Sequence, residues 1–540
     1  VAGGRFLNDK LNHCTSRVEP IINQMNQISR YCCLLLVIAF AGGCAHIDLD
    51  YPRTESWAPT PADTSDTELG RFAHKMPEDF PPGQAGFYIV RDGIEALALR
   101  LLLAERAEYT IDAQYYLIKD DHVGNAFLQA LLAAADRGVR VRLLIDDMFT
   151  KGHDSEIAAL DSHPNFEIRI FNPFGRRSAR ALDGLINFSR INRRMHNKSF
   201  TVDNQITMVG GRNIADEYFG ASEDENFGDL GVLGIGPVVS DISNMFDAYW
   251  NHPAAIPVPG FAKMPKDPES LIPELRERMA KKIAEIKNSP YGEAVENQIL
   301  VNLAKDAGAF TWAPYQVIYD SPDKGVKAKA KDAARIITPL LESLHGAKSE
   351  LMIISAYFVL RKSGIEHFAE LRNRGVDVTI ITNSLASNNL KIIHGGYAPI
   401  RKPLLKQGNR IFEVRADATV AGSEYIAKES TRTTLHMKAY VVDRRELFIG
   451  SFNFDPRSVN INTEVGVIIH SPELANFVQS QIEKGLPENS WEVFLNKDNK
   501  LRWRGMENGE EVIFKKEPQT SAWERFVAGF YRILPIRGFL

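Results

Sequence analysis

Two short strings carry side chains that could do chemistry together. The first is His196-Asn197-Lys198, followed by Asp203, Gly210, Gly211 and Asn213. The second is His436-Met437-Lys438, followed by Asp443, Gly450, Ser451 and Asn453. In both, Asp lies seven positions after His, Gly seven after Asp and Asn three after Gly. The strings stand 240 positions apart, from 196 to 436. One His-x-Lys string is commonplace, but two with the same downstream spacing point to a shared role. Two imidazoles, two ammonium groups and two carboxamides suit an anionic phosphodiester. Lysine and asparagine donors hold the nonbridging oxygens and stabilise charge on a five-coordinate phosphorus. A neutral imidazole attacks phosphorus, and a protonated one gives its proton to the departing oxygen. Histidine serves either role because its pKa lies near neutrality. The lysines already supply positive charge, so no metal and no cofactor is expected.

The flanks SFTVD and AYVVD read as strands. Residues two apart on a strand share a face, so His196 points with Lys198 and His436 with Lys438. Asp203 and Asp443 lie an odd number of positions away. They are expected to face elsewhere and to fix the turn that ends each strand.

The surroundings are duplicated too. The β-rich runs IDAQYYL (111–117) and IISAYFV (353–359) are each followed by a helical stretch and a second strand, at 137–145 and 374–381. Alternating strands and helices argue an α/β fold, here two similar lobes that face each other. The strings ELRERMAKKIAEIKN and ENQILVNLAKDAG are good helix formers and predict a helical connector between the lobes. Near the C-terminus, Ser521 and Glu524 form a capping-box pattern. Trp523, Phe526, Val527, Phe530 and Leu534 then fall near one helical face, ahead of Pro535. Such a helix suits a membrane interface or docking on the protein's own core.

At about 150 residues per domain, 540 residues suggest three to four domains. The formal net charge of −4 gives no global basic excess for holding nucleic acid. All four cysteines, Cys14, Cys32, Cys33 and Cys44, lie in the first 44 residues. The body therefore has no disulfide framework, thiolate zinc site or cysteine nucleophile. The apolar run 31–41 is too short to span a bilayer and has the length of a signal-peptide core. Ala41-Gly42-Gly43-Cys44 after it resembles a bacterial lipoprotein signal, with lipid on the Cys44 sulfur. Met25 opens a compact leader, and residues 1–24 read as an overextended start. Residues 45–85, with Pro52, Pro59, Pro61, Pro77, Pro81 and Pro82, read as an extended tether. A flexible chain of that length reaches roughly 35 Å.

The duplicated motif resembles that of the phospholipase D superfamily over about 86–484. The resemblance implies two lobes, each a mixed sheet flanked by helices, with one active site at their interface and a covalent phosphohistidine. The implied organisation is a leader (1–44), a tether (45–85), lobe 1 (86–263), a helical connector (264–310), lobe 2 (311–484) and a C-terminal extension (485–540). In similar enzymes each His is oriented by an acidic residue of the opposite lobe. That pairs His196 with Glu464 and His436 with Asp229, although the gap from Asn213 to Asp229 is five residues longer than its counterpart. The resemblance makes His196 the nucleophile and His436 the acid and then base. The residues alone do not break that symmetry.

The strings RINRRMHNKSFTVDNQ, GGRNIADEYFG and GSFNFDPRSVNINTE, with the terminal LPI, are similar to bacterial cardiolipin synthases of the phospholipase D type, in particular the lipoprotein-like C subgroup. That similarity implies transfer of a phosphatidyl group from a donor, phosphatidylethanolamine or phosphatidylglycerol, to the hydroxyl of phosphatidylglycerol. The implied partners are these lipids and a membrane surface, without nucleic acid. The implied location is the cell envelope, anchored at either membrane and facing the periplasm. An exported phosphodiesterase using water and a non-catalytic envelope lipoprotein are the competing readings. Other residues are expected to be structural or peripheral: Asp146-Asp147 as a cap or turn, His394 in a loop, and Arg193, Arg194 and Arg432 as headgroup guides or solvated charges.

Overall fold

The alternating strands and helices build one continuous sheet of 18 strands in the computed structural model. It describes residues 48, 50–74, 83–262, 264–303, 307–327, 335–420, 423–428 and 430–533. Cys44 with its leader, and Leu534 and Pro535, lie outside these residues. At the centre, Gln84–Val90 pairs antiparallel with Thr311–Tyr319. On one side follow Gly231–Ile235, Ile206–Gly210, Ser199–Val202, Thr110–Tyr115, Arg140–Asp146, Phe166–Phe171 and Ala255–Pro257. On the other follow Val465–Ile469, Glu446–Gly450, Lys438–Val442, Glu350–Ser355, Asp377–Asn383, Arg410–Val414 and Ser490–Leu495. The two halves repeat the same order and strand directions. Each has antiparallel strands near the seam and three parallel strands further out.

Parallel neighbours need long crossovers, and helices supply them. His122–Asp136 and Asp154–Asp161 cross over in the first half, Lys362–Asn373 in the second. These crossovers cover one face of each half-sheet and close a separate core in each lobe. The opposite face carries Pro237–Trp250 and Pro472–Asn489 and forms a third core shared by both lobes. That shared core includes Val232, Val239 and Ile242 from one half and Val441, Ile449 and Val467 from the other. The active-site strands are thus anchored to a single apolar layer.

Three segments depart from the sequence reading. Residues 50–74 are not a free tether. Arg142 donates to the Ser56 carbonyl (2.8 Å), Ala58 N–H to Asp247 (3.0 Å), and Thr64 is fully buried. Buried arginines need acceptors, and the extended backbone of this proline-spaced segment provides them. The segment ends in the helix Glu68–His74. The connector helices Ile272–Lys287 and Pro290–Leu303 do more than link, because Leu275, Met279, Tyr291 and Val295 enter the first lobe's core. The C-terminal extension adds Leu501–Glu507 and Glu510–Phe514 to the edge beyond Ser490–Leu495. Among the described residues no helix is long and apolar enough to cross a membrane.

Asp203 and Asp443 both adopt left-handed backbone, φ 51°, which aspartate tolerates. Asp203 accepts the backbone N–H of Glu108 (3.0 Å), Tyr109 (2.7 Å) and Thr110 (2.9 Å). Asp443 does the same for Lys348, Ser349 and Glu350. Each ties the turn after its strand to the start of the neighbouring strand. Asp203 is fully buried, so Asp203→Ala leaves amides unsatisfied. It should destabilise the fold by about 1–3 kcal/mol in urea denaturation. Unchanged stability with lost activity would instead give Asp203 a chemical role.

Candidate active site

Backbone pairing between the lobes sets the register of the two motifs. Arg432–Leu435 runs parallel to Glu225–Gly228 of the other lobe. Met195 forms a parallel bridge with Thr463. One residue further on, His436 N–H donates to the Gly228 carbonyl (2.8 Å) and His196 N–H to the Thr463 carbonyl (2.9 Å). The next side chains then meet. His196 Nδ1 lies 2.8 Å from Glu464 Oε2, and His436 Nδ1 lies 2.7 Å from Asp229 Oδ2. The longer route to Asp229 accommodates the short turn Asp216–Tyr218 and the strand Glu225–Gly228. The histidines themselves precede their strands, which begin at Ser199 and Lys438. Each lysine reaches back to its own histidine carbonyl, at 2.6 Å for Lys198. Lys438 Nζ also stands 2.9 Å from His436 Nδ1.

The motif residues after Asp shape the carboxylate seats. A Cβ on Gly210 would sit 2.6 Å from the Leu230 carbonyl oxygen, and one on Gly450 2.4 Å from that of Val465. Only glycine admits so close a strand crossing. At the next position the copies differ. A Cβ on Gly211 would meet Asp229 Oδ1 at 2.4 Å, whereas Ser451 donates its hydroxyl to Glu464 Oε2. Ser458 donates to the other Glu464 oxygen (2.8 Å), and Leu230 N–H donates to Asp229 (2.7 Å).

Burial governs the charges here. Burial pulls His196 down to about 4, against the attraction of Glu464. Burial and then the Lys438 charge pull His436 down to about 3, opposed by Asp229. Burial also lowers Lys198 well below the ordinary lysine value and Lys438 to about 8. Burial opposes ionisation of Glu464 and Asp229, yet their histidine and lysine partners hold both below the usual carboxylate values. Lys438 bears on His196 and Lys198 on His436, so the two motifs share one electrostatic centre.

Aromatic rings that the sequence reading missed wall this centre. Tyr116 stands edge-on to His196 (5.1 Å), with its ring 5.4 Å from Lys198 Nζ. Phe227 stacks on His436 (5.4 Å), and Tyr218 meets it edge-on (5.0 Å). Asn213 Nδ2 donates to the Tyr218 hydroxyl (2.8 Å), and Asn453 Oδ1 accepts Tyr357 N–H (3.4 Å). The Asn213 amide thus sits beside the aromatic wall, and the Asn453 amide is held by the backbone at Tyr357. Tyr116, at the end of a repeated β-run, and Ser458, between Asn453 and Glu464, were the findable signals.

The peripheral residues are built into the scaffold. Asp146 caps the turn at Met148 and accepts Met195 N–H (2.9 Å) next to His196. Arg194 is buried against Asp146, Arg193 donates to the Lys324 and Asn460 carbonyls, and Arg432 pairs with Glu225. His394 is not in a loop. It is buried on the helix Lys391–Tyr397, with Nε2 3.2 Å from Glu517.

A duplicated two-lobe fold with paired His-x-Lys strings and one shared centre defines the phospholipase D-like class. A family model described as cardiolipin synthase, PLD-like domain, matches residues 102–250 and 340–485. Cardiolipin synthase C of Escherichia coli (strain K12) is 39% identical over 463 residues, covering 85% of this chain and 97% of that protein. A cardiolipin synthase of Clostridium perfringens (strain SM101) is 26% identical, covering 71% of this chain and 66% of that one. The crystal structure of phosphatidylserine synthase from Haemophilus influenzae Rd KW20 superposes with a TM-score of 0.54 at 13% identity, over 88% of this chain and 100% of that one, and shows the shared fold. The chain belongs to the cardiolipin synthase family of phospholipase D-type phosphatidyltransferases.

With values near 4 and 3, both imidazoles are neutral at pH 7 in the ligand-free site. A bound dianion favours the imidazolium and raises these values, so binding should take up protons and weaken as pH rises. Sulfate titrated by calorimetry near pH 6, in buffers of different ionisation enthalpy, should show that uptake, and His436→Ala should reduce it. Buffer-independent heats would contradict it.

Proposed function

We propose that this chain is a cardiolipin synthase that moves a phosphatidyl group from phosphatidylethanolamine to phosphatidylglycerol through a phosphohistidine. The reciprocal imidazole–carboxylate pairs carry this reading. Each carboxylate engages Nδ1, which leaves Nε2 of each ring for the phosphorus. Glu464 and Asp229 orient the rings and favour the imidazolium that forms during reaction, as the acid of a catalytic triad does.

His196 Nε2 attacks the donor phosphorus and forms an N–P bond. The P–O bond to ethanolamine breaks, and His436, protonated in the substrate complex, gives the departing oxygen its proton. Lys198, Lys438, Asn213 and Asn453 hold the phosphoryl oxygens as charge develops. Neutral His436 then takes the proton of a phosphatidylglycerol hydroxyl. That oxygen attacks phosphorus, the N–P bond breaks and cardiolipin leaves. One phosphodiester is exchanged for another, so no nucleotide is consumed. The wall of Tyr116, Tyr218 and Phe227 limits water at the phosphohistidine and favours the lipid hydroxyl.

The proposed location is the periplasmic side of the cell envelope, with Cys44 lipidated. The lipoprotein-like leader and the similarity to cardiolipin synthase C support it. The helix Ala522–Ile533 supports a lipid surface as partner. Its capping box forms, with Ser521 N–H on Glu524 (2.9 Å) and Glu524 N–H on Ser521 (3.1 Å). Ala528 is buried and Glu524 pairs with Lys391, while Trp523, Phe526 and Phe530 are 69%, 63% and 55% exposed. The helix therefore docks on the second lobe and still presents an aromatic edge, an arrangement suited to a headgroup layer.

Vesicles of phosphatidylglycerol and phosphatidylethanolamine should yield cardiolipin and free ethanolamine in equal amounts. His196→Ala or His436→Ala should lower that rate by roughly three orders of magnitude or more. Phosphatidic acid alone, or nicked DNA, would favour a hydrolase. In the lipid-free Cys44→Ser chain, replacing Trp523, Phe526 and Phe530 together by Ser should weaken vesicle binding about ten-fold or more, with an unchanged unfolding midpoint. Unchanged vesicle binding would remove this helix from the membrane contact.

A further inference from the structure

The two lobes secure their outer helices differently. In the first, Gly93–Arg106 and His122–Asp136 pack on each other beneath the connector helices. Their counterparts around strand Glu350–Ser355 are Ile337–His345 and Lys362–Asn373. A cavity of about 470 Å3 lies between these, lined by Leu340, Leu344, Phe368 and Phe454. At its rim the rings of His345 and His367 meet edge to face, with centroids 4.2 Å apart. Glu370 follows His367 by three positions on the same helix and shares its face.

One ring nitrogen of each histidine and one Glu370 carboxylate oxygen lie within 4.8 Å of one another. His345 Nδ1 stands 2.9 Å from the Leu341 carbonyl. A proton donated there orients the ring and leaves Nε2 with the lone pair, as for many metal-bound imidazoles. His367 Nε2 is buried and has no hydrogen-bond partner among the described residues. A buried polar atom left unpaired is costly, and a cation at the rim gives these rings a common partner.

We propose that His345, His367 and Glu370 form a divalent-cation site of the zinc class. Two imidazole nitrogens and one carboxylate oxygen are a zinc-type donor set, with water as a fourth ligand. Glu370 is exposed, so its carboxylate is able to swing toward the two rings and complete the set while His345 keeps its hydrogen bond to Leu341. The ion clamps the two helices across the cavity, the task the connector performs in the first lobe. Its role is structural, and the phosphoryl chemistry runs without it.

The test uses the full chain, purified with a histidine-free tag, stripped by chelator and titrated with zinc chloride. One zinc per chain should survive gel filtration, and zinc should raise the thermal midpoint. Glu370→Gln and His367→Ala should each weaken zinc binding about ten-fold or more. His345→Asn, at an exposed helix end, gives the same reading if His367→Ala does not fold. A chain with His196→Ala and His436→Ala should still bind one zinc. No retained zinc, zinc kept by all three rim variants, or zinc lost only with the catalytic pair would each overturn the site.

Discussion

The hydrogen bond from each motif imidazole to a carboxylate of the opposite lobe is the constraint on which the arrangement depends. All four groups are buried, and a buried carboxylate is tolerated only when it is paired. Leaving such a carboxylate without its hydrogen-bond partner costs about 1–3 kcal/mol. The lobes therefore cannot slide past each other without exposing or stranding a charge. The backbone contacts at Gly228 and Thr463 carry the same register, so strand pairing and side-chain chemistry enforce one geometry.

Duplication supplies two half-sites, but their supports have diverged. A glycine makes room for Asp229 where a serine hydroxyl holds Glu464. Phe227 and Tyr218 enclose His436 from two sides, while Tyr116 stands edge-on to His196. The histidines thus occupy different surroundings even though their sequence strings match. Unequal surroundings are what two chemically distinct roles require.

Much of the centre was legible from spacing. The motif repeats gave the duplicated lobes, and the turn role expected of Asp203 and Asp443 matches their left-handed backbone after each strand, although the histidines lie ahead of those strands and strand parity does not relate them. Other features were not. Residues 50–67 read as a tether because proline and polar residues lack periodicity, yet buried Arg142 and Arg169 recruit their carbonyls. Arg193, Arg194 and Arg432 read as headgroup guides or solvated charges, but protein acceptors engage them. His394 read as a loop residue because it belongs to no motif, yet it lies on the helix Lys391–Tyr397, which Gly395 and Gly396 continue. The helix Ala522–Ile533 packs across Gly395, where a Cβ would meet Tyr531 at 2.8 Å, and so explains that glycine in a helix.

The amino-acid sequence by itself determined which groups are duplicated, their order and the α/β alternation, because these are properties of local spacing and side-chain periodicity. Tertiary structure decided how closely each carboxylate meets its imidazole, how far burial shifts each charge, and which aromatic rings surround the two imidazoles. These depend on groups as far apart in the chain as His196 and Glu464. Their contact arises only when two half-sheets join along a shared apolar layer and fix the distance between them.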